Sequence, residues 1–339
     1  MPVGRWGLGV ADNAISITPM PFPEDRGLQL NRVGVLGATS LVGTCLLPML
    51  TETGWRVTAF SRSVAGLLDD KVEWRRVSSS SHFVMEPLVI RSADQTATSK
   101  SLISPLAGEE RISFWICIAP IWVLPDYFAL LDAQGARRVV VVSSTSRFTK
   151  DDSTDPEERS IALRLADAEA RVREWAESRD VEWVILRPTL IYGLGRDKNI
   201  AEIERFIRRF GFFPLFGEAS GLRQPIHVVD VAGACLAALQ APCAANRAYN
   251  ISGGETLTYR NMVIRVFSAL CRRPRLLTVP LWTFRLAVTV LRRLRCYRQW
   301  STAMAERMNR DLVFDHAEAT RDLDFKPRAF VLSSEDVAI

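Results

Sequence analysis

Gly34, Gly37 and Gly43 stand three and six residues apart in the stretch 32–43 (RVGVLGATSLVG), with Ser40 where a further glycine would complete the pattern. Glycines at that spacing let a backbone turn sharply and approach a pyrophosphate, while the first N–H groups of the following helix face the anion. Arg62 follows the next apolar run, at the place where an acid would select a free ribose 2′-hydroxyl and an arginine suits a 2′-phosphate; the first acid after it is Asp69. The alternative for Arg62 is a solvated surface arginine. A third group is a run of hydroxyls, Ser143-Ser144-Thr145-Ser146, behind the apolar run 138–142. Placed at the carboxyl end of a central strand, these hydroxyls point into a ligand crevice; otherwise they form a polar loop.

The elements that must position these groups read as strands alternating with helices. Strands are expected at 32–36, 55–60, 72–77, 112–118, 138–143 and 181–188, and the apolar runs suit buried parallel strands. Helices are expected from Leu41, around 126–134 closed by Gly135, and over 156–178 behind Pro156, where Ile161, Leu165, Ala168, Val172 and Trp175 share one face. That alternation predicts an α/β fold, a Rossmann-type doubly wound parallel sheet. The last third is less regular: a helix at 199–210, an aromatic loop at 211–217, a helix at 229–240, a strand at 248–252 and a helix at 259–271. The organisation expected is an extension over 1–30, a dinucleotide-binding domain mainly over 31–190 and a smaller α/β C-terminal substrate lobe mainly over 191–339, with some return to the Rossmann sheet. Residues 78–110 carry too little periodicity for an element to be assigned.

Composition narrows the class. The chain has 339 residues, 48% hydrophobic and 24% charged, with a net charge of +5, as a water-soluble globular protein does. Only five basic residues are lysines, and no nucleic-acid motif accompanies the arginines. Six cysteines form no C-x-x-C pair, and three scattered histidines (82, 227, 316) give no metal motif, so buried free thiols and no metal are expected. Residues 1–30 lack the continuous apolar core of a signal peptide, and no run reaches the length of a membrane span, so the protein reads as cytoplasmic. The stretch 281–298 is apolar and arginine-rich together; it reads as a buried face with arginines outside, or as a peripheral membrane contact.

These residues resemble the short-chain dehydrogenase/reductase superfamily, in its extended, NAD-dependent epimerase/dehydratase-like branch or an atypical relative. The resemblance covers roughly residues 32–330. It rests on Gly37-x-x-Ser40-x-x-Gly43, on Ser143-Ser144-Thr145, on Leu186-Arg187-Pro188 with Ile191-Tyr192-Gly193, on Arg223-x-x-Ile226-His227-Val228-x-Asp230, and on the run 249–254 (YNISGG). It implies a nicotinamide cofactor, which Arg62 at the end of the second strand makes NADP, with NAD the alternative. The cofactor would lie on Gly37, Thr39, Ser40, Leu41, Val42, Gly43, Ser61, Arg62, Ala119, Pro120, Ser143 and Pro188. It also implies Thr145, then Ser144, as the hydroxyl on the substrate oxygen, and Arg223 on the diphosphate of a nucleotide-sugar substrate. His227 is expected to be a packed, hydrogen-bonded residue and Asp230 a helix-start residue. A dimer is consistent with this branch.

The sequence departs from the family at its centre. A tyrosine and a lysine four residues later should open the helix at 156–178, with an acid four beyond. Taking Glu169 as the acid puts Leu165 at the lysine position and Ile161 at the tyrosine position, and residues 150–180 contain no tyrosine. Three readings follow. The chain is an oxidoreductase with another proton donor, for which Tyr192 and Lys150 are nearest by motif position; or an epimerase that arranges proton transfer differently; or a non-catalytic NADP-binding protein that senses redox state or supports an assembly.

Overall fold

The computed structural model describes residues 32–62, 71–77, 86–87, 111–150, 153, 155–280 and 302–337. At its centre is an eight-stranded sheet. In chain order its strands are β1 (Arg32–Leu36), β2 (Arg56–Ser61), β3 (Val72–Arg76), β4 (Glu86–Pro87), β5 (Phe114–Cys117), β6 (Arg138–Val142), β7 (Glu182–Pro188) and, much later, β12 (Arg247–Ile251). Across the sheet they run β12-β7-β6-β5-β1-β2-β3-β4. Every neighbouring pair is parallel except β3 with β4. The chain builds outward from β1 through β2 and β3, then returns to the other side of β1 as β5 and continues through β6 and β7. The strand order therefore reverses between β1 and β5, and a crevice opens beyond their carboxyl ends. The expectation of a doubly wound, Rossmann-type parallel sheet holds.

The strands are apolar because both faces of the sheet are covered: all five residues of β1 are buried, and Val139, Val140 and Val141 of β6 are wholly so. One face packs on α1 (Leu41–Glu52) and α6 (Val228–Gln240), the other on α4 (Pro156–Ser178) and the 3₁₀ turn Ile121–Tyr127. A third apolar cluster joins α5 (Ile200–Phe210), α7 (Tyr259–Ala269) and the strand pair β9 (Phe213–Phe216) and β14 (Leu276–Val279). Local signals set the helix ends. Ser40 caps α1 by accepting from the Gly43 N–H at 3.2 Å, Asp155 caps α4 ahead of Pro156, and Gly135 ends α2 (Phe128–Gln134) in the left-handed region.

Several expectations are corrected. The helix expected around 126–134 is a 3₁₀ turn before it is an α-helix, because Pro125 has no N–H to give an α-helical bond. The aromatic loop at 211–217 contains β9, paired in parallel with β14. Asp230 lies in the first turn of α6, as expected, but the side-chain cap is His227, which accepts from the Val229 N–H at 3.2 Å, while Asp230 accepts from Arg328 at 2.9 Å. Cys117 and Cys235 are buried free thiols as expected, but Cys243 and Cys271 are exposed. Among the described residues no helix is long and apolar enough to cross a membrane. The extension over 1–30 and the stretch 281–298 lie outside the described residues.

Candidate dinucleotide site and pocket

The glycine turn closes the space between three strand ends. Gly37 has φ +83°, which favours glycine, and a Cβ there would lie 2.5 Å from the Ala119 nitrogen. Its N–H reaches the Phe60 carbonyl at 3.3 Å, while Ile118 and Ala119 both donate to the Leu36 carbonyl, at 2.9 and 3.2 Å. Gly43 lets α1 start tight against the turn, since a Cβ would stand 2.0 Å from the Ala38 carbonyl oxygen. Thr39 and Ser61 share a hydroxyl–hydroxyl hydrogen bond of 3.3 Å, which ties the turn to the end of β2, where Arg62 is exposed. Gly37, Thr39, Ser40, Leu41, Val42, Gly43, Ser61 and Arg62 thus occupy one edge of the crevice, with Ala119 across from Gly37.

Beside them lies a pocket of about 290 Å³ lined by Pro120, Ile121, Trp122, Val142, Ser143, Ser144, Ser146, Ile161 and Leu165. Two elements supply its functional wall, the end of β6 and one face of α4. The positions that would carry a tyrosine and a lysine do face this pocket, but as two aliphatic side chains. Arg164 covers the outer wall, its guanidinium 4.3 Å from the Trp122 ring.

The hydroxyls divide between pocket and frame. Ser144 lines the pocket, its Oγ accepting from the Ser146 N–H at 3.1 Å. Thr145, expected to be foremost at a substrate, is buried, donates its hydroxyl to the Pro188 carbonyl at 3.1 Å and is not among the residues that line the pocket. Ser143 donates at 2.6 Å to Glu169, which is 0% exposed. Arg187 also donates to that carboxylate, from Nε to Oε1 at 3.0 Å and from Nη2 to Oε2 at 2.7 Å, and Arg147 reaches Oε2 as well. Burial pushes the Glu169 carboxyl up, but the hydrogen bonds from Arg187 and Ser143 and the charges of Arg187 and Arg147 outweigh it and hold it below the usual carboxylate range. This network fixes the end of β6 under the pocket. Sequence reading used Glu169 only as a register mark and missed Arg147; the signal that existed was an acid on the buried stripe of α4.

The remaining expected residues lie elsewhere. Tyr192 is fully buried, edge-on to His227 and Phe330, with its hydroxyl 3.3 Å from the Val331 carbonyl. Burial and nearby Asp336 push it up to about 12. It is no part of the pocket wall, and neither is Lys150, whose ammonium is pushed down by burial and by Arg307. His227 is buried, as expected, with Nε2 3.0 Å from Asp336. Arg223 does not present an open fork to an anion. Nη1 donates to the carbonyls of Leu222 (2.7 Å) and Arg310 (2.8 Å), Nη2 to that of Arg307, and burial pushes the group down to about 10. Among the described residues no group of three or more His, Cys, Asp or Glu is placed to hold a metal.

Residues 126–252 match the model of the NAD dependent epimerase/dehydratase family. Over those residues the chain is similar to that family. The UDP-glucose 4-epimerase of Vibrio cholerae is 25% identical over 162 residues, which are 45% of this chain and 49% of that one. The mitochondrial NADH dehydrogenase [ubiquinone] 1 alpha subcomplex subunit 9 of Arabidopsis thaliana is 28% identical over 122 residues, 36% of this chain and 30% of that one. The match therefore spans about half of the first relative's length and less of the second's. Among solved structures, MoeE5 in complex with UDP-glucuronic acid and NAD superposes with a TM-score of 0.61 at 19% identity, over 90% of this chain and 96% of that one. At that identity the likeness speaks for the fold. The matched stretch contains the β6 hydroxyls and the pocket-facing Ile161 and Leu165, and the glycine turn precedes it.

Proposed function

We propose that this protein binds a nicotinamide dinucleotide on the Gly37–Gly43 turn and holds it without the usual proton relay. The carrying observation is the tight strand–turn–helix at the end of β1. Gly37, at φ +83° against Ala119, and Gly43, against the Ala38 carbonyl, leave no room for a Cβ, and the turn they make brings the start of α1 to the crevice, where helix N–H groups suit a pyrophosphate. Arg62, exposed behind β2, favours NADP over NAD by offering a guanidinium to a 2′-phosphate. In this reading residues 31–190 carry the dinucleotide, residues 191–339 close over it, and the protein works in the cytoplasm.

A bound nicotinamide supplies a hydride acceptor or donor. For turnover the chain must also move a proton at the substrate oxygen, and the pocket wall offers the Ser144 and Ser146 hydroxyls beside Ile161 and Leu165. An unassisted serine hydroxyl is a poor acid or base near neutral pH, and the tyrosines at 127, 192, 249 and 259 do not line the pocket. The absent relay favours a cofactor-holding protein that senses redox state or supports an assembly.

The second reading is an oxidoreductase or epimerase acting on a sugar nucleotide. It draws on Ser144 and Ser146 in the pocket and on the relatives' names. Single-turnover absorbance with NADPH and a panel of UDP-sugars and carbonyl compounds separates the two. Stable reduced cofactor across the panel supports the holding role; oxidation by any member supports the enzyme.

A further inference from the structure

The sheet order sets where the two halves of a dinucleotide would lie. Arg62 follows β2, on one side of β1, and the pocket opens at the ends of β5 and β6, on the other. A dinucleotide with its 2′-phosphate at Arg62 and its pyrophosphate at the glycine turn therefore runs toward the pocket with its nicotinamide half.

A nicotinamide ring changes charge with its redox state: oxidised it is a pyridinium cation, reduced it is a neutral dihydropyridine. The pocket is apolar in its wall and positive at its margins. The side chains of Ile121, Val142, Ile161 and Leu165 offer a cation no acceptor, and among the described residues no Asp or Glu lines the space. Trp122 is the one aromatic ring in that wall, and the face of such a ring suits a cation. Arg164 already lies over it, the guanidinium 4.3 Å from the ring centroid. Beneath the end of β6, the single charge of Glu169 meets two guanidinium groups, Arg187 at 2.7 Å and Arg147, so this network carries a positive surplus. The carboxamide is common to both redox forms, and the Ser144 and Ser146 hydroxyls therefore do not tell them apart. Moving a cation from water into these surroundings has a desolvation and repulsion cost that the neutral ring escapes.

Resting on the dinucleotide site proposed above, we propose that this pocket selects the reduced cofactor. It takes the neutral dihydronicotinamide of NADPH and disfavours the pyridinium of NADP⁺, so that occupancy follows the reduced fraction of the pool. Ile161 and Leu165, which leave the site without a proton relay, thereby give it a way to read redox state with no hydride transferred.

The test is calorimetric titration of the full chain with NADPH, NADP⁺ and 2′-phospho-ADP-ribose, which lacks the nicotinamide. NADPH is expected to bind more tightly than NADP⁺ by about tenfold or more, and NADP⁺ no more tightly than 2′-phospho-ADP-ribose. I161E places an anion in the wall and should narrow the ratio of the two affinities by about fivefold or more, with thermal melting showing that the variant folds. Should it not fold, the emission of NADPH bound to the wild type decides, because it shifts to shorter wavelength when the dihydronicotinamide leaves water. Equal or tighter binding of NADP⁺, an unchanged ratio in folded I161E, or bound NADPH that emits as it does in water overturns the selection and leaves the dinucleotide site standing. Binding of none of the three overturns the site and the selection with it.

Discussion

Glu169 and Arg187 are joined side-on beneath the pocket, each carboxylate oxygen accepting from a different guanidinium nitrogen, at 3.0 and 2.7 Å. The pair ties α4 to β7, and through Ser143 and Arg147 it also holds the end of β6. Breaking a buried pair from one side leaves the other charge uncompensated. E169Q is therefore expected to lose about 3–5 kcal/mol of stability, read by denaturant unfolding. A loss within 1 kcal/mol would mean that the arginines find other partners.

The same carboxylate sets a pH dependence. Its folded pKa lies below the ordinary value of 4.5, so its contribution is complete above about pH 4.5 and is lost as pH falls through the folded pKa. The gap in melting temperature between wild type and E169Q should stay constant from neutral pH to about pH 5 and narrow below it. A gap that opens on acidification would reverse the sign and refute the assignment.

G43A pushes a methyl group against the Ala38 carbonyl, 2.0 Å from the ideal Cβ, so the turn or α1 must shift. It is expected to cost about 1–3 kcal/mol in stability. Dinucleotide affinity, measured by calorimetry on the folded fraction, should drop by more than about tenfold. Unchanged affinity would move the cofactor off this turn.

R62A separates the two dinucleotides. Losing a charged hydrogen bond to a 2′-phosphate should weaken NADPH by about tenfold or more and leave NADH within about twofold. Equal losses would show that Arg62 does not meet the 2′-phosphate.

R223A removes the donors shared by the Leu222, Arg307 and Arg310 carbonyls. About 2–3 kcal/mol of stability should go, with faster proteolysis near residues 302–312 and no change in dinucleotide affinity. Intact stability with weakened binding of UDP-sugars would restore the substrate-diphosphate role.

What could be read from the sequence was local. Gly37, Ser40 and Gly43 betray their turn by spacing, β1 and β6 by uninterrupted apolar runs, and α4 by the stripe through Ile161, Leu165 and Val172. That same stripe, counted back from Glu169, identified the two positions that face the pocket. What could not be read depends on partners far along the chain. Phe213–Phe216 looks like an aromatic loop until β14, some sixty residues on, supplies its ladder. Arg223 looks like an anion-binding fork until Arg307 and Arg310 bring their carbonyls to it. Thr145 and Ser144 are neighbours of the same kind, and only the Pro188 carbonyl decides which hydroxyl turns inward.

The most direct test of the account is calorimetric titration of the purified protein with NADPH. Saturable binding at one site per chain, lost in G43A, is the result expected. No heat of binding with NADPH, and none with NADH, would contradict the dinucleotide site at its foundation.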